Sequence, residues 1–158
     1  IRKDNVKWKR ADWEEYNVEW MLYVVWNKVN SNKEFRDILM SIPEGATIIE
    51  NSTFQKVSNP DTSAFWGCRN DGIKEFSKLV KQYVGSLYLD TEAEADRVTT
   101  EYLNAFCNYG VFVGNNTMGK ILMIVKDCLH NGTEPEIDYD LLNRKNIHLL
   151  GKLLIFDK

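Results

Sequence analysis

Apolar residues recur every three or four positions along most of the chain, which is the spacing of one helix face. This pattern predicts helices over about 12–30, 31–42, 73–84, 91–109 and 117–129. Short apolar runs at 46–50 and 111–113 predict strands, and the segment 146–156 is predicted to be partly extended. The first and last of these helices carry wide apolar stripes, so we expect them to pack against each other.

Polar tetrads with the spacing of a capping box mark where three of these helices begin. They are Asp12–Glu15, Ser31–Glu34 and Thr91–Glu94. In a capping box the first side chain accepts a hydrogen bond from a backbone N–H of the first helical turn, and the acidic side chain bonds back to the first residue. We therefore expect helices to start at these three positions.

The segment Asn51–Asp71 has the composition of a loop, because Asn, Ser, Thr, Pro and Gly occur throughout it. The cluster AFWGCRN, residues 64–70, lies inside this segment. Large aromatic side chains in a loop need a pocket or a ligand to cover them. Phe65 and Trp66 are thus candidates for stacking on a base or another planar ring, and burial in the core is the alternative.

Composition and charge narrow the class of protein. The chain has 158 residues, is 44% apolar and 27% charged, and carries a net charge of −3, which suits a globular protein that does not bind nucleic-acid backbones. Its most apolar window, 18–26, is too short to span a membrane. Cys68, Cys107 and Cys128 are odd in number and widely spaced, so they predict a reducing compartment, the cytoplasm, rather than disulfides.

Sequence signatures of metal and nucleophile sites are missing. The chain has no HExxH, GxSxG or P-loop pattern, and His130 and His148 stand far apart without carboxylates at ligand spacing. We therefore predict that no metal is bound.

A turn before the last long helix is the first candidate for ligand binding. Gly114, Asn115 and Asn116 lead into the predicted start at Thr117. Free N–H groups and the positive end of the helix dipole at such a start attract phosphate. Gly119 would allow a ligand to approach, and Lys120 would add positive charge. Simple capping by Asn115 or Asn116, with Gly119 as a packing residue, is the alternative.

Two carboxylates accompany the aromatic cluster. Glu50 stands just before the predicted loop and Asp61 stands inside it. Cleavage of a glycosidic bond needs a carboxylate that protonates the leaving group or stabilises an oxocarbenium-like centre. Either residue can serve such a reaction, and either can equally be a turn or cap residue.

The order of these segments resembles the NADAR domain, the YbiA-like family of N-glycosidases. The family pattern runs W…VM…KF…NPELRELLL…LVEAS…YDxFWGCG…GxNMLGKILMxVRE. The corresponding segments here are Trp13, Met21…Lys28, NKEFRDIL (32–39), IIENS (48–52), FWGC (65–68) and NTMGKILMIVKD (116–127). The resemblance covers roughly 9–129, and FWGC followed by NTMGKILM is its most specific part.

This resemblance implies a fold and a reaction. The fold would be α+β, mainly helical, in a single NADAR-like domain over 1–158. The reaction would be hydrolysis of N-glycosidic bonds in ribosylated or ADP-ribosylated compounds, without a cofactor. Such compounds include phosphoribosylated riboflavin-pathway intermediates and ADP-ribose attached to guanine, a nucleic-acid base.

The chain also departs from the family pattern. The family's Asp before FWG aligns with Ser63, so Asp61 would substitute only if the loop shifts. The family's N-terminal EHYFQ-like motif, which holds a functional Glu, has no counterpart, and the chain starts with Ile1. We therefore expect either a fragment or processed piece whose missing part comes from upstream residues or from a partner chain, or a binding or degenerate version of the family. The segment 71–113 is predicted to be a helical insertion.

Combining the motifs with the resemblance gives a set of candidate site residues that we expect to converge on one cleft. The catalytic candidates are Trp13, Glu50 and Asp61, and the ligand-binding candidates are Trp66, Gly67, Arg69, Asn116, Gly119 and Lys120. Three functions stay open: an N-glycosidase, a non-catalytic module that binds ADP-ribose or nucleotides, and a helical interaction protein in which these motifs are structural.

Overall fold

The computed structural model describes residues 10–53, 65–109 and 111–157. In chain order its helices are α1 (Asn17–Ser31), α2 (Lys33–Ser41), α3 (Ile73–Ser86), α4 (Glu92–Tyr109), α5 (Thr117–Asn131) and α6 (Tyr139–Arg144). The strands are β1 (Arg69–Asp71), β2 (Val111–Val113), β3 (His148–Leu149) and β4 (Lys152–Leu153). The described residues are therefore mainly helical with two small antiparallel sheets, β1–β2 and β3–β4, which confirms the mainly helical α+β class.

The chain divides into two compact units. The first, the outer unit, consists of Ile1–Ile48 and Thr117–Lys158, and the second, the middle unit, is Ile49–Asn116. The outer unit is thus formed from two stretches of sequence that the middle unit separates. A single NADAR-like domain stays a prediction, as does a YbiA-like fold.

Three helices form the first part of the outer unit's core. Helix α1 packs against both α2 and α5, and α2 also packs against α5. This confirms the predicted contact between the two helices with wide apolar stripes. Val29 of α1 and Val125 of α5 are almost completely buried, at 1% and 0% exposure. Burial of such side chains contributes about 1.5–3 kcal/mol each, which is what holds the three helices together.

In the second part of this core, residues of the C-terminal segment pack over the start of α1. Tyr16 packs with Leu142, Ile147 and Phe156, all of them buried. The Phe156 ring meets Tyr23 edge-on, with 4.9 Å between the ring centroids. The hairpin β3–β4 confirms that part of 146–156 is extended. The apolar spacing predicts no helix at α6, which begins at the end of an acidic stretch, 134–140, and Asp138 caps it by accepting from Leu141 N at 2.7 Å.

Two predicted helix starts are wrong. The residues after Asp12 form a 3₁₀ turn, Trp13–Glu15, and α1 begins only at Asn17. Asp12 makes no cap because the Arg10 guanidinium takes its carboxylate, with distances of 2.9 and 2.8 Å. Helix α2 is capped by Asn32, which accepts from Phe35 N at 2.9 Å. The Ser31 hydroxyl instead donates to a carbonyl within α1.

The middle unit contains the predicted pair of helices. Helices α3 and α4 pack against each other, and the Tyr83 and Tyr102 rings meet edge-on at 5.6 Å between centroids. The Thr91 hydroxyl accepts from Glu94 N at 3.2 Å, so the third predicted helix start is confirmed. That these helices are an insertion relative to the family pattern stays a prediction.

The strands of the middle unit differ from those predicted. The run 46–50 forms no strand; only Asn51 beside it makes an isolated parallel bridge, with Cys68. The run 111–113 is a strand, and its antiparallel partner is β1, which lies inside the segment predicted to be a loop. The predicted loop is therefore wrong at 69–71, because the pairing of β1 depends on a strand about forty residues away in sequence. Residues 54–64 of the predicted loop lie outside the described residues.

Candidate functional site

Three of the segments that carry the family resemblance meet in the middle unit. Glu50 N donates to the Asn116 side-chain oxygen at 3.0 Å, and Asn116 N donates to Gly67 O at 3.3 Å. Cys68 N in turn donates to Glu50 O at 2.8 Å. These bonds close a ring through Glu50, Gly67, Cys68 and Asn116, which we call the motif junction. The structure therefore brings together three of the predicted site residues, Glu50, Gly67 and Asn116.

Gly67 is the closest-packed position of the motif junction. A Cβ atom built on Gly67 would lie 2.3 Å from Ser52 Oγ and 2.5 Å from Glu50 O. Real Cβ atoms essentially never come this close to another heavy atom. Gly67 is therefore required so that the two chain segments can touch, whatever further role it has toward a ligand.

Asn116 adopts a backbone conformation that few residues tolerate. Its φ is +52°, in the left-handed region where Asn is enriched among non-glycine residues. The side chain is 9% exposed, and its oxygen joins it to Glu50, 66 positions away in sequence. This bond goes beyond plain capping of α5, the alternative that the sequence left open.

The aromatic pair beside the junction is half-buried. The Phe65 and Trp66 rings meet edge-on with centroids 5.1 Å apart, and both residues have helical backbone. Trp66 is therefore covered in part by Phe65 and keeps part of its surface open. Arg69, also half-buried, lies on β1 opposite Val113.

Glu50 supplies a carboxylate at the junction. Its backbone is fixed on both sides by the bonds to Asn116 and Cys68, whereas its half-buried side chain makes no hydrogen bond or ion pair with any residue that the structure describes. A fixed backbone whose carboxylate is not bonded to any described residue is suited to act on a bound molecule. Asp61, the other predicted carboxylate, lies outside the described residues.

The remaining predicted site residues belong to the outer unit. Trp13 is half-buried in the 3₁₀ turn and meets the Tyr16 ring edge-on at 5.3 Å. On α5, Gly119 is buried and Lys120 is exposed. Their convergence with Glu50 and Trp66 in one cleft stays a prediction.

A network of charged side chains surrounds the start of the outer unit, and sequence patterns give no sign of it. Asp12 accepts from Arg10 and lies 3.7 Å from the Lys145 ammonium, which also contacts Glu15. The hydrogen bond from Arg10 is the main reason why the pKa of Asp12 lies below its usual value. The bond to Glu15 is the main reason why the pKa of Lys145 is raised.

Asn70 is a buried residue that no sequence pattern marks as part of a site. It lies on β1, two residues after Cys68, and is 4% exposed. Neither Nδ2 nor Oδ1 of its side chain has a hydrogen-bond partner within the described part of the chain. Its position in the AFWGCRN cluster was the one available signal, and a sequence pattern cannot indicate whether an amide finds a partner.

Two further observations concern metals and membranes. Within residues 10–53, 65–109 and 111–157, no group of three or more His, Cys, Asp or Glu side chains is placed to hold a metal ion. Among the same residues, no helix is both long and apolar enough to cross a membrane.

Comparison with known proteins identifies no relative: no protein-family model, curated protein or solved structure matches the chain. The resemblance to the NADAR family therefore rests on the segments quoted above.

Proposed function

We propose that this chain binds ribosylated or ADP-ribosylated compounds and hydrolyses their N-glycosidic bond. The observation that supports it is the motif junction, because the IIENS, FWGC and NTMGKILM segments that carry the resemblance are joined there by direct hydrogen bonds. A chance match of three short patterns gives no reason for these segments to be in contact.

Each residue has a role in this proposal. The oxygen of water bonds to the anomeric carbon as the carbon–nitrogen bond breaks, the electron pair of that bond leaves with the base, and the proton that the water loses ends on the base. The Glu50 carboxylate stabilises the positive charge that develops on the sugar. Trp66 stacks on a planar ring of the ligand. Asp61 and Trp13 act at the reacting bond, as the resemblance implies.

The phosphate groups of the ligand are bound at the start of α5 in this proposal. Backbone N–H groups at a helix start favour anions, and the Lys120 ammonium adds positive charge one turn into the helix. Asn116, Gly67, Gly119 and Arg69 shape and line the site. The resemblance implies that this hydrolysis uses no cofactor.

Binding without turnover is the second candidate, and one observation favours it. Glycosidases generally use a pair of carboxylates, whereas Glu50 supplies the one carboxylate that the structure describes at the motif junction. If upstream residues or a partner chain supply a second carboxylate, hydrolysis is expected instead.

Calorimetry with ADP-ribose and a turnover assay on an N-ribosyl substrate test the proposal together. Glu50→Gln is expected to retain ADP-ribose binding and to lose hydrolysis by about 10²–10³-fold, the usual effect of removing one group that stabilises charge in the transition state. Glu44→Gln, at an exposed carboxylate, is the matched control and should leave both unchanged.

The outcomes separate the candidate functions. ADP-ribose binding with hydrolysis that depends on Glu50 supports the glycosidase. Binding without hydrolysis by the wild type supports the binding module. A wild type that binds no ribosylated compound refutes both, and it favours an interaction protein in which the motif junction is structural.

A further inference from the structure

The buried side chain of Asn70 is the most unusual polar group in the described part of the chain. Both amide atoms are closed to solvent, and neither has a hydrogen-bond partner there. Asn17 provides a comparison, since it is 2% exposed and donates to Glu14 at 2.8 Å. A buried amide that loses its hydrogen bonds to water and gains none in return destabilises the fold. Asn70 therefore lowers the free energy of unfolding of the protein without ligand, compared with an apolar residue of similar size at the same position.

The backbone around Asn70 is held firmly. Asn70 N donates to Thr53 Oγ1 at 2.7 Å, and the residue pairs with Phe112 across the β1–β2 ladder. Two residues earlier, Cys68 is joined to Glu50 and Ser52 by backbone hydrogen bonds of 2.8 Å each. The carboxamide is therefore carried on a rigid strand that continues directly from the motif junction, as a preorganised recognition group would be.

We propose that the Asn70 carboxamide recognises a ligand group that carries a hydrogen-bond donor and an acceptor side by side. An Asn side chain offers one N–H edge and one oxygen in the same plane. The matching groups are a primary carboxamide and the lactam edge of a nucleobase. This inference rests on the proposed function, and it assigns Asn70 to the base that leaves when the N-glycosidic bond breaks.

The burial of Asn70 has a consequence for binding kinetics. Because neither amide atom is open to solvent, a ligand reaches them only after neighbouring side chains move. Association that requires such a change is slower than the usual 10⁵–10⁷ M⁻¹s⁻¹, so we expect a rate constant below about 10⁵ M⁻¹s⁻¹.

The first test is thermal stability without ligand. Asn70→Leu removes the unpaired amide at similar volume and should raise Tm by about 2–4 °C. The matched control, Asn17→Leu, breaks a made hydrogen bond and should lower Tm by a similar amount. A lower Tm for Asn70→Leu would mean that Asn70 holds a structural partner, such as a buried water, and would overturn the proposal.

The second test is ligand selectivity, measured by calorimetry with three compounds. NAD carries a carboxamide on its base, its 3-acetylpyridine analogue replaces the amide nitrogen by a methyl group, and ADP-ribose lacks the base. If the wild type turns NAD over, the measurements use the Glu50→Gln background. We expect NAD to bind about tenfold more tightly than the analogue, and Asn70→Leu to abolish this preference. Asn70→Ala is the second variant. Its preference is the ratio of its affinities for NAD and for the analogue, so it can be measured whatever the stability of the variant.

The results distinguish this inference from the function on which it rests. A preference for NAD that survives in Asn70→Leu and Asn70→Ala overturns the role of Asn70, even when ADP-ribose binds. A wild type that binds neither ADP-ribose nor NAD overturns the proposed function and the role of Asn70 with it. An Asn70-dependent preference together with ADP-ribose binding supports both.

Discussion

Replacing Gly67 by alanine introduces one methyl group at the tightest point of the motif junction. The new Cβ would lie 2.3 Å from Ser52 Oγ and 2.5 Å from Glu50 O. The serine hydroxyl can rotate away, but Glu50 O belongs to the backbone and already accepts from Cys68 N at 2.8 Å. The two segments must therefore separate, and that hydrogen bond must lengthen.

The expected cost follows from these contacts. Overpacking a well-packed site costs about 1–3 kcal/mol. Each intramolecular hydrogen bond contributes about 0.5–1.5 kcal/mol, and the bonds from Cys68 N to Glu50 O and from Asn116 N to Gly67 O are both at risk. We expect Gly67→Ala to lower the free energy of unfolding by about 2–4 kcal/mol, which corresponds to a fall in Tm of about 4–16 °C.

Urea unfolding followed by circular dichroism and tryptophan fluorescence measures this change. Gly85→Ala is the matched control, because a Cβ at Gly85 in α3 meets nothing within 4 Å. Alanine is the better helix former, so this control should stabilise the protein by up to about 1 kcal/mol. If Gly67→Ala were as stable as the wild type, or if the two variants changed stability alike, the close approach at the motif junction would be refuted.

Two more predictions concern the outer unit. Lys126 is 4% exposed, and its ammonium donates to Pro43 O at 2.7 Å. Lys126→Met should leave that carbonyl without its donor and lower the free energy of unfolding, measured in urea, by about 1–3 kcal/mol. An unchanged urea midpoint would contradict this. The pKa of Asp12 is lowered, mainly by the hydrogen bond from Arg10, so its stabilising effect is present above the unfolded value of 3.8 and is lost as the pH falls through the folded value. Asp12→Asn should therefore flatten the loss of stability below pH 4, and an acid limb identical to that of the wild type would exclude this contribution.

Elements governed by local patterns were predicted well from the sequence. Helices α1 to α5 all lie within a few residues of the predicted ranges, because each carries an apolar stripe at helical spacing. The polar start signals were less reliable. Asp12 and Asn32 show why, since a carboxylate near a guanidinium pairs with it, and an amide one residue after a serine can cap in its place.

Features that depend on distant partners were not predicted. Strand β1 exists because β2 pairs with it, and nothing in its own composition indicates a strand. Helix α6 begins at Tyr139, directly after its N-cap Asp138. Leu142 is its one fully buried side chain, and a single buried residue gives no periodic apolar pattern.

The candidate site shows the same division. The motifs identified Glu50, Gly67 and Asn116, and these residues are in contact. The motifs did not identify Asn70, because a sequence pattern does not show whether a buried amide has hydrogen-bond partners. Patterns report which residue types are present, whereas satisfaction of polar groups depends on geometry.

The split of the outer unit across the sequence affects how the protein is made. Leu142, Ile147 and Phe156, which cover Tyr16, and helix α5, which packs against α1, all follow the middle unit in sequence, so this core cannot be completed on the ribosome until the whole middle unit has been synthesised. The intervening length matters little to the finished core, since doubling a flexible loop adds only about 0.6 kcal/mol to the entropic cost of closing it. Evolution could therefore lengthen or shorten the middle unit with little loss of stability in the outer unit. The outer unit would still be the last part of the chain to fold during synthesis.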